Sequence, residues 1–489
     1  MRILRRNDWM RTLAEHVERM RSTYPDDELA VVFDIDGTIV DARYLVVHVL
    51  LAYDREHGTE HFRGLTVADV VDHETLVDRI LSRFSLPDEV LPGVREWYRA
   101  HIRDPEAVAA SHRPYEGVFG VIRWFQLQPR THVALNTGRS ESMRALTLDS
   151  LNALGALHRV AFDPELLFMN RSDAVDDVSP AKIEGLRRLR LSGYRVVAVI
   201  DNEPDLLRAM ADADETDEIL FLHADTIFAS RRRPITPSIV SGSTYGLTGL
   251  VDEAEVGRRV TLAWHGVNDE HNLWQFLTSE IRWAEVDVRR DPIGRLVLRH
   301  DTFVETPWAR DEPFLLLEEC LEALRWSFRS VKLDLKDGGE MVDEVLDLVF
   351  SSGFSDEELW FNATVQTLGP DGFARLKGVR PAAIRQTPID FLVPLLLAAP
   401  DVARPILDTM RAWGLTRVSL DWRTPGARDV IDVVERLGWQ VNLYGVPDLE
   451  AFLEAALLLP ASVTADFNFP EWKYDGRGPA SAILAGLKG

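Results

Sequence analysis

The chain has 489 residues, 46% hydrophobic and 27% charged, which describes an ordinary globular protein with room for two large domains or three small ones. Its net charge of −23 argues against nonspecific binding to nucleic acid or to an anionic membrane, since both need a positive surface. The single cysteine, Cys320, excludes an internal disulfide and fits a reducing cytoplasm, and its leucine-rich neighbourhood predicts a buried core thiol.

The first residues, Met1 to Trp9, turn polar at once and carry no signal-peptide pattern, so a cytoplasmic location is expected. Trp9 to Met20 has the spacing of an amphipathic helix, free to pack on either domain or on a second subunit, and the oligomeric state stays open. Residues 1–27 are read as this N-terminal helix.

Leu29-Ala-Val-Val-Phe-Asp-Ile-Asp-Gly-Thr38 then reads as a buried strand that ends in two carboxylates, Asp34 and Asp36. In an extended strand, residues two apart point the same way, which predicts both acids at one spot. Paired oxygen ligands of that kind suit Mg²⁺. One carboxylate can attack phosphorus while the other handles the leaving group's proton. Val133-Ala-Leu-Asn-Thr-Gly-Arg139 is a second apolar run whose Thr137 hydroxyl and Gly138 amide suit a phosphate oxygen. Lys182 opens a helical pattern after Pro180 and offers a balancing cation. Arg195-Val-Val-Ala-Val-Ile-Asp-Asn-Glu-Pro-Asp205 delivers Asp201, Asn202, Glu203 and Asp205 at a third strand tip.

In this order the four stretches resemble the haloacid dehalogenase-like (HAD) phosphohydrolases over roughly the first half of the chain. The resemblance implies Asp34 as the nucleophile and Asp36 as general acid and base, with Thr137, Gly138 and Lys182 binding the phosphoryl group. It also implies a Mg²⁺ site built from Asp34, the Asp36 backbone carbonyl and Asp201. Asp205, or less readily Asn202, would take the family's second acidic position. The long interval between Asp36 and Thr137 is rich in helical patterns, as in Thr75 to Phe84, and residues 41–112 read as a helical cap inserted over the site. Tyr44, His48, His57, His61, Trp97 and Tyr98 are its candidates for selectivity, although each alone reads more simply as a structural residue. A cap of this kind favours small phosphorylated metabolites. The domain is assigned residues 28–230.

Residues 231–257 have linker composition, with Arg231-Arg-Arg-Pro234 followed by a Ser/Gly/Thr stretch from Ser238 to Thr248. Apolar strands alternating with helical patterns follow, at 260–264, 282–288, 331–335, 359–364, 381–384, 417–421, 439–443 and 461–465. Eight such strands over residues 258–489 point to a (β/α)₈ barrel. The predicted fold class is therefore α/β, a Rossmann-like domain with a helical cap insertion followed by a TIM barrel. No apolar run approaches the ~20 residues of a membrane span, and the best, Phe391 to Ala399, contains Pro394.

The strand ends of a barrel are where chemistry collects. Here they offer His265, Glu285, Asp287, then His300 shortly after, and Lys332, Asp334 and Lys336 on one face of the third strand. Glu285, Asp287 and Asp334 make a three-carboxylate site for Mg²⁺, Ca²⁺ or Mn²⁺, with His265 and His300 available for proton transfer. His-Gly-Val-Asn268, Glu-Val-Asp-Val288, Leu-Val-Leu-Arg-His-Asp301 and Lys-Leu-Asp-Leu-Lys336 together resemble the glycerophosphodiester phosphodiesterase-like barrels, in particular their menorin-type branch. Two departures stand out. Gly266 occupies the place of an Arg that grips phosphate, which menorin-like proteins also lack, and Asp334 replaces the usual Glu. Lys332, Lys336 or Arg423 could supply the missing charge.

The expected function is a two-domain phosphoesterase. Metal and histidine chemistry in the barrel would cleave a phosphodiester, and the first domain would hydrolyse the resulting monoester. Two other readings stay open. In one, only the first domain is catalytic and the barrel binds a ligand or a second subunit. In the other, the chain is a scaffold that binds phosphorylated ligands without turnover.

Overall fold

The computed structural model describes residues 9–72, 74, 76–102, 104–171, 178–226, 238–251, 253–309 and 313–467. The chain divides into two units, Met1–Val251 and Asp252–Gly489.

Six strands form the sheet of the first unit: β1 (Glu28–Phe33), β2 (Thr131–Ser140), β3 (Leu167–Asn170), β4 (Tyr194–Asp201), β5 (Leu220–Ala224) and β6 (Val240–Gly242). All pair in parallel in the order β3-β2-β1-β4-β5-β6, the doubly wound Rossmann arrangement. The strand order reverses between β1 and β4, so their carboxyl ends flank the crevice where such sheets bind ligands. Val31, Ala198 and Ile200 are fully buried, which explains the continuous apolar runs of these strands.

Between β1 and β2 lies a helical insert, Arg43–His57, Val77–Leu81, Leu91–His101 and Pro105–Ser111. It has its own core, including Val46, Leu50, Tyr53, Phe62, Val94 and Tyr98. Its two stems meet beside β1, where the Asp41 amide donates to the Arg113 carbonyl at 2.8 Å and Val40 bridges Pro114. Several of the cap's selectivity candidates serve this core. Tyr98 is buried and donates to the Glu74 carbonyl at 2.8 Å, Trp97 donates to the Val49 carbonyl at 3.1 Å, and His57 stacks on Tyr53.

The N-terminal helix, Trp9–Thr23, packs on β4, β5 and β6 of its own unit through Trp9, Met10, Leu13, His16, Val17 and Met20. Trp9 Nε1 donates to the Thr244 carbonyl at 2.6 Å, and its ring lies so close to Gly242 that a Cβ there would sit 2.2 Å from it. This contact corrects part of the linker reading of 231–257. Residues 231–237 lie outside the described residues, but Val240–Gly242 is a sheet strand and Glu253–Arg259 is helix. Gly242, which looks like a linker residue, is small here because an indole covers it.

Eight strands of the second unit close a parallel barrel: β7 (Thr261–Trp264), β8 (Trp283–Arg290), β10 (Ser330–Leu335), β11 (Leu359–Asn362), β12 (Ile384–Pro388), β13 (Arg417–Asp421), β14 (Gln440–Tyr444) and β15 (Ser462–Ala465). The β8–β10 and β15–β7 pairings complete the ring, while β9 (Leu296–Leu298) pairs antiparallel with β8 outside it. Ala263, Trp283 and Trp360, with Ile384 against them, form an apolar cluster from four of its strands. Cys320 is fully buried, and burial pushes its thiol up to about 12.

One strand is displaced from expectation. The reading at 381–384 falls on a turn, and β12 runs through Ile384-Arg-Gln-Thr-Pro388 instead. Its polarity hid it. Gln386 and Thr387 are buried, and the buried Arg385 guanidinium donates to the carbonyls of Arg380, Ala383 and Gly414. Among the described residues no helix is long and apolar enough to cross a membrane.

Truncating Trp9 should remove the anchor of the N-terminal helix. Trp9→Ala is expected to destabilise the first unit by about 3–5 kcal/mol, read as an earlier transition in denaturant unfolding of the full chain.

Candidate functional site

In the first unit the strand ends converge on one buried cation. Lys182 comes from the helix Ser179–Leu191 and is almost fully buried. Its Nζ lies 2.7 Å from Asp34 Oδ1 and also bonds Asp201 Oδ2, so it ties the end of β1 to the end of β4. Burial pushes Asp34 above the usual carboxylate range despite Lys182. Burial works against the Lys182 charge too, but Asp201 and Asp34 outweigh it and hold the ammonium protonated. Asn136 Nδ2 donates to the Lys182 carbonyl at 2.9 Å and fixes the start of that helix against β2.

The two acids of the first motif do not share one partner. Strand β1 stops at Phe33, so the alternation that would have put Asp34 and Asp36 together no longer applies. Asp36 turns instead to Arg139, whose Nε and NH2 grip it at 2.7 and 2.6 Å. Partial burial opposes the Asp36 charge, yet the Arg139 guanidinium holds it below the usual range. Arg139 also reaches Thr147 Oγ1 at 3.2 Å and His112 Nε2 at 2.8 Å. Burial, reinforced by the Arg139 charge, lowers His112 to about 4 and keeps it neutral. Arg139 stands two residues after Thr137 on β2, and that alternation with the phosphate-binding candidate was the available signal for it.

Thr137 is buried and accepts from the Arg139 amide at 3.2 Å, and Gly138 packs under Val178. At the second acidic position it is Asn202 that reaches the site. With its amide nitrogen turned inward it donates to Asp34 Oδ2 at 3.2 Å and to the Asp36 carbonyl at 3.0 Å. Asp205 lies on the first turn of the helix Pro204–Asp212 and pairs with Arg208 at 3.5 Å. Asp34 Oδ2 and the Asp36 carbonyl thus face one point. With the Asp201 carboxylate, which accepts from Lys182 and from the Glu203 amide, they are hard oxygen donors of the chemical kind that suits Mg²⁺. Two side chains from beyond β5 hold the turn in place: Tyr245 donates to the Thr38 carbonyl at 2.8 Å and Thr226 to the Gly37 carbonyl.

In the barrel, register places Asp287 opposite Asp334 and Glu285 opposite Lys332. Ligand atoms of Glu285, Asp287 and Asp334 lie within 4.8 Å of one another, a hard-oxygen set that also fits a divalent cation. Lys336 Nζ already bonds two of them, Asp287 at 2.8 Å and Asp334 at 2.6 Å. Lys332 is buried, donates to Thr464 Oγ1 at 3.1 Å and sits 4.9 Å from the centre of the Trp360 ring. His265 accompanies the trio. The Asp466 hydrogen bond at 2.7 Å, helped by the Glu285 charge, raises it to about 9.

Gly266 follows with φ 68°, and its amide donates to Glu285 Oε2 at 2.9 Å. A side chain in this left-handed conformation would cost about 1–2 kcal/mol, a local reason for glycine where the resemblance expects Arg. His300 directly follows Arg299, whose amide donates to the Asp287 carbonyl at 2.8 Å. His300 is largely exposed and pairs with Asp301 at 2.9 Å, and Arg423 pairs with Asp421. Asn268, Asn362 and Asp466 also belong to this strand-end network, bonding Asp287, Asp334 and His265. Asn and Asp at strand ends carry no mark that separates them from turn residues.

Lys182→Met should leave Asp34 and Asp201 buried without a counter-charge. Destabilisation of about 3–5 kcal/mol is expected in metal-free thermal unfolding, with part of it recovered on adding Mg²⁺.

No family model matches the chain, and no curated protein matches it. Several solved structures are similar to part of the chain. A glycerophosphodiester phosphodiesterase from Parabacteroides distasonis is 14% identical over 47% of this chain and 99% of its own, with a TM-score of 0.34. An Oleispira antarctica phosphodiesterase in complex with the product sn-glycerol-3-phosphate is 15% identical over 48% of this chain and 98% of its own, with a TM-score of 0.34. A haloacid dehalogenase-like hydrolase from Streptococcus pneumoniae is 13% identical over 44% of this chain and 93% of its own, with a TM-score of 0.27. Both kinds of structure to which the motifs point are therefore among the similar ones.

Proposed function

We propose that the first unit is a Mg²⁺-dependent phosphatase acting on a small phosphomonoester, and that the barrel cleaves a phosphodiester. The observation that carries the first reading is the arrangement of Asp34, Lys182 and Asp201. A buried carboxylate is held at a strand end beside a buried ammonium that can meet an incoming phosphoryl oxygen. Asp34 attacks phosphorus and its Oδ–P bond forms as the ester oxygen leaves with a proton from Asp36. Water then attacks the aspartyl-phosphate, gives its proton to Asp36 and releases inorganic phosphate. Asp34, the Asp36 carbonyl and Asp201 would hold Mg²⁺, which would supply charge neutralisation. Thr137 and the Gly138 amide bind the phosphoryl oxygens, and the helical insert keeps water and large substrates out.

Arg139 constrains this scheme. It holds Asp36 as a carboxylate, the form that accepts a proton from water. Donation to the leaving group requires the Arg139 contact to loosen. Because Arg139 also bonds His112, at the exit of the insert, movement of the insert is a natural way to loosen it.

For the barrel, the carboxylate trio with His265 beside it supports diester cleavage, with His265 transferring the proton. The product monoester would then suit the first unit. A second reading, in which the barrel only binds a ligand, draws on two observations. His300 is exposed and paired with its own neighbour, and Gly266 leaves no phosphate-gripping side chain.

The deciding experiment is hydrolysis of a bis-aryl phosphodiester and an aryl phosphate with Mg²⁺ or Mn²⁺. Asp34→Asn is expected to lose monoester hydrolysis by roughly three orders of magnitude or more and to retain diester cleavage. His265→Ala should lose diester cleavage by roughly a hundredfold or more and keep monoester hydrolysis. Absence of diester cleavage in every form would leave the phosphatase alone. Arg139→Ala should lower kcat for the monoester by roughly a hundredfold through misplacement of Asp36, with Arg139→Lys intermediate.

A further inference from the structure

Asp287 and Asp334 each have one oxygen fixed by a neutral amide. Asn268 Nδ2 donates to Asp287 Oδ2 at 2.6 Å, and Asn362 Nδ2 donates to Asp334 Oδ1 at 2.8 Å. Their other oxygens, Asp287 Oδ1 and Asp334 Oδ2, face a common point, and Lys336 Nζ stands there, 2.8 and 2.6 Å away. Glu285 belongs to the same cluster. Lys336 follows the last residue of β10, two positions after Asp334, so the strand that supplies one ligand also supplies a cation for it. The side chain is 20% exposed and has solvent to move into.

We propose that Lys336 is a built-in competitor for the barrel's divalent cation. Its ammonium neutralises Asp287 and Asp334 in the metal-free protein and must leave before both aspartates can ligate an ion. This rests on the reading of the trio as a cation site. An ammonium and a divalent ion within bonding distance of the same two oxygens repel each other, so each weakens the binding of the other. Asn268 and Asn362, being neutral, keep the aspartates oriented in both states, so the exchange asks only Lys336 to move. Its flexible four-carbon stem and compact charge suit that movement better than a planar guanidinium would.

The test is Mn²⁺ binding to the full chain, followed by electron paramagnetic resonance without substrate. Lys336→Met is expected to tighten one class of Mn²⁺ site by about tenfold or more while leaving the class at Asp34 and Asp201 unchanged. In the wild type, Mn²⁺ should speed acetylation of Lys336 severalfold while the exposed Lys377 keeps its rate, as read by mass spectrometry. The labelling result decides if Lys336→Met does not fold. Equal affinities in the two proteins, no Mn²⁺ binding in either, or acetylation of Lys336 indifferent to Mn²⁺ would overturn the proposal. Tightened binding with no diester cleavage would end the catalytic reading of the barrel and leave the competitor standing. Diester cleavage with equal affinities would do the reverse.

Discussion

Parallel strands bring carboxylates to the carboxyl edge of a sheet, and burial there makes an uncompensated negative charge untenable. Each unit of this chain meets that constraint with cations of its own. Lys182 spans Asp34 and Asp201, Arg139 grips Asp36 with two nitrogens, and Lys336 spans Asp287 and Asp334. Buried ion pairs of this kind add little net stability, because desolvation consumes most of the attraction. Their effect is positional. They hold the carboxylates at set points at the strand ends.

Neutral amides complete the arrangement. Asn202 faces Asp34 and the Asp36 carbonyl, while Asn268 and Asn362 each take one oxygen of an aspartate in the barrel. An amide orients a carboxylate without adding charge, so it fixes geometry and leaves affinity for a cation intact. Arg139 has a wider reach. It touches the general acid candidate and the stem of the helical insert together, and this couples the position of the insert to that of Asp36.

The barrel interior shows how polar residues can make a strand hard to read. In β12 only Ile384 is apolar among Ile384-Arg-Gln-Thr, yet the three polar residues are buried. Arg385 donates to the carbonyls of Arg380, Pro381, Ala383 and Gly414, and Gln386 donates to Asn362 at 2.9 Å. Hydrophobic pattern finds strands whose two faces are apolar, and it passes over a strand such as β12 whose polar side chains are buried, with Gln386 Oε1 and Thr387 Oγ1 lacking a hydrogen-bond partner among the described residues. The linker misled for the opposite reason. Gly242 is small because Trp9 lies on it, and nothing within residues 238–248 announces an indole more than two hundred positions away.

The sequence alone determined the fold class, most of the barrel strands and the set of carboxylates, because buried parallel strands must be apolar and their acidic tips break that pattern visibly. Pairing was decided by the tertiary structure. Asp34 and Asp36 look like one pair at a spacing of two, but the chain turns after Phe33 and sends them to Lys182 and Arg139. Asn202 rather than Asp205 reaches the first site because Pro204 opens a helix that carries Asp205 to Arg208. Lys336 can be read from the sequence as a phosphate ligand, and only the closed β8–β10 pairing shows it already bound to two carboxylates. Spacing along a strand gives direction, whereas the identity of a buried charge's partner depends on which other strands and helices end beside it.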